Sequence, residues 1–194
     1  MIRILILIVP LLVSCTSFDL GYFAIFREAM SNGRISDLES LDSKNISYLK
    51  ASLGRNQATF VLSDYSNGLE TWIGSNGQKI LTTQGFVVKT QGLQSNLNYY
   101  ETKKIAESFL KGSFVTSVDF SSPELIYTSL ELELLEVLIT KDCDKLYIYN
   151  KVYKDFPYSN KEFFCFNNGK PIYSIQRLTP LEKELKLEFF YKYK

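Results

Sequence analysis

Cys15 is the residue near the start of the chain whose surroundings point most directly to a chemical role. It follows Arg3 and the apolar run Ile4–Leu12, with the small residue Ser14 just before it. These are the parts of a secretory signal peptide, and the run falls short of the roughly 20 residues that a membrane-spanning helix needs. The pattern predicts a signal peptide over residues 1–14 and a mature chain beginning at Cys15. The alternative, a buried N-terminal strand with a chance cysteine, leaves Arg3 and Ser14 unexplained.

The four residues Leu12-Val13-Ser14-Cys15 resemble the lipobox of bacterial lipoproteins. In such proteins the thiol carries diacylglycerol, and each buried acyl methylene contributes about 0.8 kcal/mol, so two or three chains hold a protein at a membrane. The resemblance implies lipidation of Cys15, with residues 15–21 as a tether. Thr16 follows where an aspartate would indicate retention in the inner membrane of enterobacteria. By that analogy we expect a protein anchored in the outer membrane and facing the periplasm.

The other two cysteines are Cys143 and Cys165. In an oxidising periplasm two such cysteines often pair, which makes them a candidate disulfide. Two separate buried thiols are the alternative, because neither residue stands in a recognisable spacing. The chain has no Cys-x-x-Cys, which argues against redox catalysis and structural zinc.

Acidic residues are numerous enough for acid–base chemistry, whereas histidine is absent. Glycoside hydrolysis needs two carboxyl groups about 5 to 9 Å apart, and nothing in the sequence spacing pairs two of them. The turn around Cys143 offers too few oxygen ligands for calcium. We therefore predict no catalytic residue, metal or cofactor. The carboxylates considered are Asp64, Glu70, Asp142, Asp144 and Asp155.

Two further features bear on binding partners. The 22 Lys and Arg nearly cancel the 21 Asp and Glu, so the basic surface that a nucleic-acid partner would require is not expected. Trp72 is the only tryptophan. It is a candidate for contact with a glycan or a protein partner, since an indole can stack on a sugar ring. Because it stands among predicted hairpin strands, packing is the favoured interpretation.

The elements around these residues are predicted to be strands. Two Asn-Gly pairs and a Gln-Gly pair separate short apolar-rich runs, which is a strong signal for tight antiparallel hairpins. The alternation over 125–140 changes phase near Leu134-Leu135, which predicts a bulge or turn there. Helices are predicted near 22–31 and within 99–111. The predicted strands are 46–53, 58–65, 69–73, 78–82, 86–90, 114–120, 125–140, 146–153, 161–166, 171–178 and 185–191.

These elements predict a single domain over residues 15–194. Its class is mainly β: an antiparallel meander that forms two packed or strongly curved sheets, with one or two short helices.

The turn and strand residues include the stretches Trp72–Gly77, Leu81–Gly85 and Val88–Leu93, and the closing hairpin has Phe163–Phe166 and the pair Ser174 and Gln176. Together these residues resemble the YjbF/GfcB family of bacterial lipoproteins. Members are encoded with genes for exopolysaccharide or group 4 capsule production, beside a predicted outer-membrane β-barrel protein. The resemblance implies an accessory lipoprotein of polysaccharide secretion or assembly.

The function expected from these observations is a tethered, non-enzymatic binding module. Its implied partners are the membrane, through the lipid on Cys15, and either a polysaccharide or an outer-membrane β-barrel protein. Two other hypotheses stay open. One is a glycan-acting enzyme that uses a carboxylate pair, and the other is a purely structural envelope lipoprotein.

Overall fold

Twelve antiparallel strands and the short helix α1 organise the described part of the chain. The computed structural model describes residues 41–42, 44–93, 96–121, 125–180 and 183–192. The predicted signal peptide, Cys15, the tether and the helix near 22–31 lie outside these residues. In chain order the elements are β1 (Tyr48–Leu53), β2 (Asn56–Ser66), β3 (Leu69–Gly74), β4 (Lys79–Thr83), β5 (Phe86–Gln91), β6 (Asn96–Tyr99), α1 (Thr102–Ser108), β7 (Phe114–Ser121), β8 (Leu125–Leu138), β9 (Lys145–Tyr153), β10 (Ser159–Asn167), β11 (Lys170–Gln176) and β12 (Leu185–Phe190).

Each strand pairs with the next along the chain, and β12 returns to pair with β1, so the sheet closes into a barrel. The closing register runs from Tyr48 opposite Phe190 to Leu53 opposite Leu185. The predicted mainly β antiparallel meander is confirmed. The prediction allowed two packed or strongly curved sheets. The structure has one sheet, which curves until it closes, so the first and last strands pair with each other and neither has an open edge.

The predicted turn chemistry is confirmed at three hairpins, whereas at the predicted Asn76-Gly77 turn Gly77 alone has a positive φ angle. At Asn67-Gly68, Gln84-Gly85 and Asn168-Gly169 both central residues have positive φ angles, as a two-residue hairpin of the favoured hand requires. The pairing of β8 with β9 shifts register between Leu134 and Glu136, which is where the sequence predicts a bulge.

Strand β6 was not predicted. Its four residues alternate asparagine with Leu97 and Tyr99, too short and polar a run to stand out. It pairs with β7 over four residue pairs, but the pairing with β5 contains Lys89 opposite Asn98 alone. The amide of Leu97 instead donates to the Thr90 side-chain hydroxyl at 2.8 Å. The boundary between β5 and β6, called here the β5–β6 seam, is therefore thinly paired.

The helix predicted within 99–111 is α1, which connects β6 to β7 and buries Ile105. Because neighbouring strands are antiparallel, all odd-numbered strands begin at the end of the barrel where α1 lies. We call this the helix end and the other the far end. Among the described residues no helix is long and apolar enough to cross a membrane.

An aromatic core fills the barrel. Just after α1, Phe109 packs against Phe86, Tyr149 and Phe164 with ring centroids 4.7–5.3 Å apart. All four side chains are fully buried. Burial of this apolar area, at about 25 cal/mol per Å², is the main force that holds the strands closed.

Candidate functional site

Trp72 does not offer a ring to a ligand. Its side chain is 0% exposed, its Nε1 donates to the Thr82 hydroxyl at 2.9 Å, and its ring packs against Phe189 and Tyr191. The suggestion that Trp72 contacts a glycan or partner therefore needs correction, because no face of the indole reaches solvent. The favoured packing interpretation describes its place in the structure.

Glu70 completes the same buried group. One of its carboxylate oxygens accepts from the Thr82 hydroxyl and the other from Tyr191, both at 2.7 Å. Burial raises the pKa of Glu70 above its ordinary value of 4.5, although the hydrogen bonds from Thr82 and Tyr191 oppose that rise. The Glu70 carboxylate therefore accepts hydrogen bonds on the buried side of β3 and β4.

The other acidic residues considered from the sequence lie on β2, after β9 and in the turn between β8 and β9. Asp64 accepts from the Ser66 hydroxyl on β2, Asp155 accepts from the Thr128 hydroxyl, and Asp144 accepts from the Asn168 backbone amide. Asp142 gives its backbone carbonyl to the Asn167 side chain. Among the described residues no group of three or more His, Cys, Asp or Glu could hold a metal ion.

Cys143 and Cys165 form a disulfide in the structure. It joins the turn between β8 and β9 to β10. Around it, Asp144 N donates to the Asn167 side-chain oxygen at 2.8 Å, so the turn is fixed to the neighbouring hairpin by polar contacts as well.

The residues that carry the family resemblance meet inside the barrel. The Gln176 side chain donates to the Gly85 carbonyl at 2.7 Å and accepts from Val87 N at 3.0 Å. Ser174 donates to the same carbonyl at 3.0 Å. A Cβ atom at Gly85 would lie 2.9 Å from Pro171, so only glycine fits where this hairpin approaches β11. These motif residues hold the two sides of the barrel together.

A buried ion pair lies towards the far end. The Lys151 ammonium is 2.9 Å from Glu162, and both side chains are almost fully enclosed. Lys151 also donates to the Arg177 carbonyl at 2.8 Å. Burial is the largest influence on the pKa of Lys151 and would lower it. The Glu162 charge, Tyr153, Tyr99 and the hydrogen bond to Glu162 together outweigh burial and raise that pKa well above 10.5.

The exposed polar groups converge elsewhere, on the outer face of β5 to β8. Lys89 is opposite Asn98, Asn98 is opposite Asp119, and Asp119 is opposite Tyr127. Directly opposite residues of antiparallel strands present their side chains on one face. The four residues therefore form a continuous row across the β5–β6 seam.

This row borders a cleft of about 380 Å³ at the far end of the barrel. Ligand pockets in proteins have volumes of roughly 300 to 1,000 Å³ and contain a few convergent polar groups. We call it the polar–aromatic cleft. Its lining consists of Lys89, Thr90, Gln91, Gly92, Asn96, Leu97, Asn98, Asp119, Phe120, Ser121 and Leu125.

Two exposed tyrosines stand beside Asp119. Tyr100 and Tyr127 are 56% and 64% exposed, and their rings meet edge to face with centroids 5.7 Å apart. The Tyr100 hydroxyl donates to Asp119 Oδ2 at 3.0 Å, and this hydrogen bond raises the pKa of Tyr100. Asp119 Oδ1 is buried and has no hydrogen-bond partner among the described residues, which leaves an unsatisfied acceptor at this position.

The arrangement is suited to a polyhydroxylated ligand. Tyrosine offers a large apolar face with a polar tip, which can lie against the C–H face of a sugar. The Asp119 carboxylate accepts hydrogen bonds, and the Asn96, Asn98 and Gln91 amides both donate and accept. Sequence reasoning missed every member of this site. The signals present were the Tyr99-Tyr100 pair and the outward phase of Tyr127.

Comparison with known proteins agrees with the fold and the motif residues. Residues 31–124 match the family described as group 4 capsule polysaccharide lipoprotein GfcB, YjbF. The crystal structure of the hypothetical lipoprotein YmcC from Escherichia coli (K12) superposes with a TM-score of 0.69 at 14% identity, covering 85% of this chain and 93% of that one. No curated protein sequence matches the chain. The predicted resemblance is thus confirmed: residues 31–124 are similar to the YjbF family, which is described as group 4 capsule polysaccharide lipoprotein.

Proposed function

We propose that this protein is a lipid-anchored accessory of capsule or exopolysaccharide secretion that holds a glycan in its polar–aromatic cleft. In this proposal Cys15 carries the lipid, the membrane is the outer membrane, and the domain faces the periplasm. The family match links the chain to capsule polysaccharide. The observation that carries the binding role is the Asp119–Tyr100–Tyr127 group, with its unpartnered carboxylate oxygen beside two exposed rings.

The alternative surfaces support glycan binding less well. Trp72 and Glu70 are enclosed, and the Ser174–Gln176 group is occupied by backbone partners. The cleft is instead lined by hydrogen-bonding side chains, and the exposed Tyr100 and Tyr127 rings lie beside its Asp119. Among the described residues that line the cleft, Asp119 is the one carboxylate. Glycoside hydrolysis calls for two, so we favour binding.

A binding titration tests this proposal. The polysaccharide purified from the producing cells is titrated into the full chain and into Tyr127→Ala, Asp119→Asn and Tyr65→Ala variants. Tyr65 is a matched control, since it is 62% exposed on β2, away from the cleft. We expect both cleft substitutions to weaken binding at least tenfold and Tyr65→Ala to leave it unchanged. Equal affinity in all four chains would refute the cleft as the glycan site.

Two measurements distinguish glycan binding from two other roles, namely catalysis and binding of an outer-membrane β-barrel protein. If Asp119 acts as a catalyst, incubation with the full chain shortens the polysaccharide and Asp119→Asn abolishes the shortening. If the ligand is a protein, cleft variants retain polysaccharide affinity but lose export in cells. A Cys15→Ala variant tests the tether itself. We expect it to reduce surface polysaccharide while the purified domain still binds glycan.

A further inference from the structure

A group of apolar side chains is exposed at the end of β8, far from the cleft. Leu135, Val137 and Leu138 are each at least 40% exposed, and Ile139 is 85% exposed. We call these four residues the apolar tip. Contiguous exposed apolar residues usually mark a contact with another protein or with a membrane.

The apolar tip runs past the start of β7 along one edge of β8. The pairing of β8 with β7 ends at Leu132, opposite Phe114, whereas its pairing with β9 continues to Leu138. Beyond Leu132, the Leu134 amide donates to the Ser113 hydroxyl at 2.9 Å. The last residues of β8 are therefore an open edge beside the start of β7, although they still pair with β9. Such edges are ordinarily protected by charges or cover, and Glu136 is an exposed charge within this one.

The tip is rigidly held. The disulfide between Cys143 and Cys165 fixes the adjoining turn to β10. Asn168 N donates to the Asp144 side chain at 2.7 Å, and Thr140 N donates to the Cys143 carbonyl at 3.0 Å. Apolar side chains that are held in place lose little further entropy on binding, so the display favours association.

The apolar tip lies at the same end of the barrel as the start of β1, and this position indicates what the tip contacts. Strand β8 ends, and strand β1 begins, at the helix end of the barrel. Here the segment before β1 is fixed by the ion pair of Asp42 with Lys192 at 2.7 Å. The described residues that precede β1 thus lie at the end that carries the apolar tip. The cleft is at the far end.

We propose that the apolar tip inserts into the interfacial layer of the membrane that holds the Cys15 lipid, with Lys141 and Lys145 among the headgroups. This inference rests on the proposed lipid attachment. Its consequence is orientation: with the helix end on the bilayer, the polar–aromatic cleft faces away from the membrane. The lipid anchors the protein, and the tip determines which way the domain points.

Fluorescence quenching tests the proposal on the full lipidated chain in phosphatidylethanolamine and phosphatidylglycerol vesicles containing brominated phosphatidylcholine. Ile139→Trp and Val137→Trp report on the tip. Leu125→Trp is the matched control, since Leu125 is exposed at the far end. The unsubstituted chain, with Trp72 enclosed, gives the baseline. We expect at least twofold quenching for both tip variants and almost none for Leu125→Trp.

Flotation of the same vesicles separates the two claims. If the chain floats with the vesicles and the tip variants are quenched no more than Leu125→Trp, the lipid attachment stands and the insertion of the tip is wrong. If the chain does not float, both claims fail. Tip emission that depends on protein concentration but not on vesicles would indicate a second copy at the tip, and would also overturn the proposal.

Discussion

The barrel contains two polar regions of opposite character. One is internal: Gln176 and Ser174 bond the backbone at Gly85, and Glu70 bonds Thr82 beside Trp72. The other is the polar–aromatic cleft, where Asp119 meets Tyr100 on the outer surface. The internal region consists of residues that carry the family pattern or lie next to it, whereas the cleft residues outside 88–97 belong to no recognisable motif.

The internal residues and the exposed residues are constrained by folding to different degrees. Residues that satisfy buried backbone groups admit few replacements, because an unsatisfied buried donor or acceptor costs about 1 to 3 kcal/mol. Residues such as Tyr127, exposed on a strand, have no such constraint from folding. We infer that Gly85, Ser174 and Gln176 in the recognisable pattern report how the barrel closes. The cleft shares residues 89–92 with that pattern, whereas Asp119 and the two tyrosines beside it lie outside it. Variants of the two regions should therefore have opposite effects on stability and binding.

The largest expected effect is on stability, from Lys151→Met. This change leaves the enclosed Glu162 carboxylate without its countercharge, so we expect the free energy of unfolding to fall by about 3 to 5 kcal/mol. Urea denaturation gives the value. In the double variant Lys151→Met/Glu162→Leu no buried charge remains, and part of the loss should be recovered. A double variant no more stable than the single one would mean that the ion pair is not the cause.

A smaller loss is expected from Gly85→Ala, and Gly68→Ala is its matched control. The two glycines have similar φ angles of 80° and 77° in the same kind of turn, so both substitutions carry a backbone cost of about 1 kcal/mol. Only at Gly85 does the new methyl meet Pro171, which adds about 1 to 3 kcal/mol of overpacking. Equal thermal stability of the two variants would show that the hairpin does not press against β11.

Glu70→Gln should alter the pH dependence of stability. Because burial raises the pKa of Glu70 above 4.5, the native state binds more protons than the unfolded state between 4.5 and the raised value. This contribution to stability therefore falls as pH rises through that interval and is constant above it. The variant should lack the fall, so its stability relative to the unsubstituted chain should improve from acidic to neutral pH. Parallel urea curves at all pH values would contradict this.

The smallest effect on stability should come from the cleft. Tyr127→Ala removes an exposed ring, and such surface changes usually stay within about 0.5 kcal/mol. The same variant should lose most of its affinity for the polysaccharide. A large loss of stability with intact binding would reverse the contrast between the two regions.

Much of the fold follows from local chemistry in the sequence. The hairpins at Asn67-Gly68 and Asn168-Gly169 were predictable because the turn residues have the positive φ angles that such turns need. The bulge after Leu134 was predictable from its break in alternation. Strand β6 was missed because its stability comes from β7 and from the Thr90 hydroxyl, neither of which is local.

Barrel closure and the cleft depend on relations that a single sequence does not display. The bond between Gly85 and Gln176 spans 91 positions, and no periodicity links its ends. The cleft depends on the register of four strands, which aligns Lys89, Asn98, Asp119 and Tyr127. A shift of one residue in any pairing would move a side chain to the other face. The candidate site exists because these registers bring the four side chains into one row.

Amide hydrogen exchange with and without the purified polysaccharide shows whether the polar–aromatic cleft is the glycan-binding site. The β5–β6 seam has a single residue pair in its ladder, so its amides should exchange readily in the free protein. We predict that the glycan slows exchange in residues 89–98 and 119–127, and leaves the β2–β3 hairpin unchanged. Protection confined to other strands, or none at saturating polysaccharide, would contradict the assignment of the cleft as the binding site.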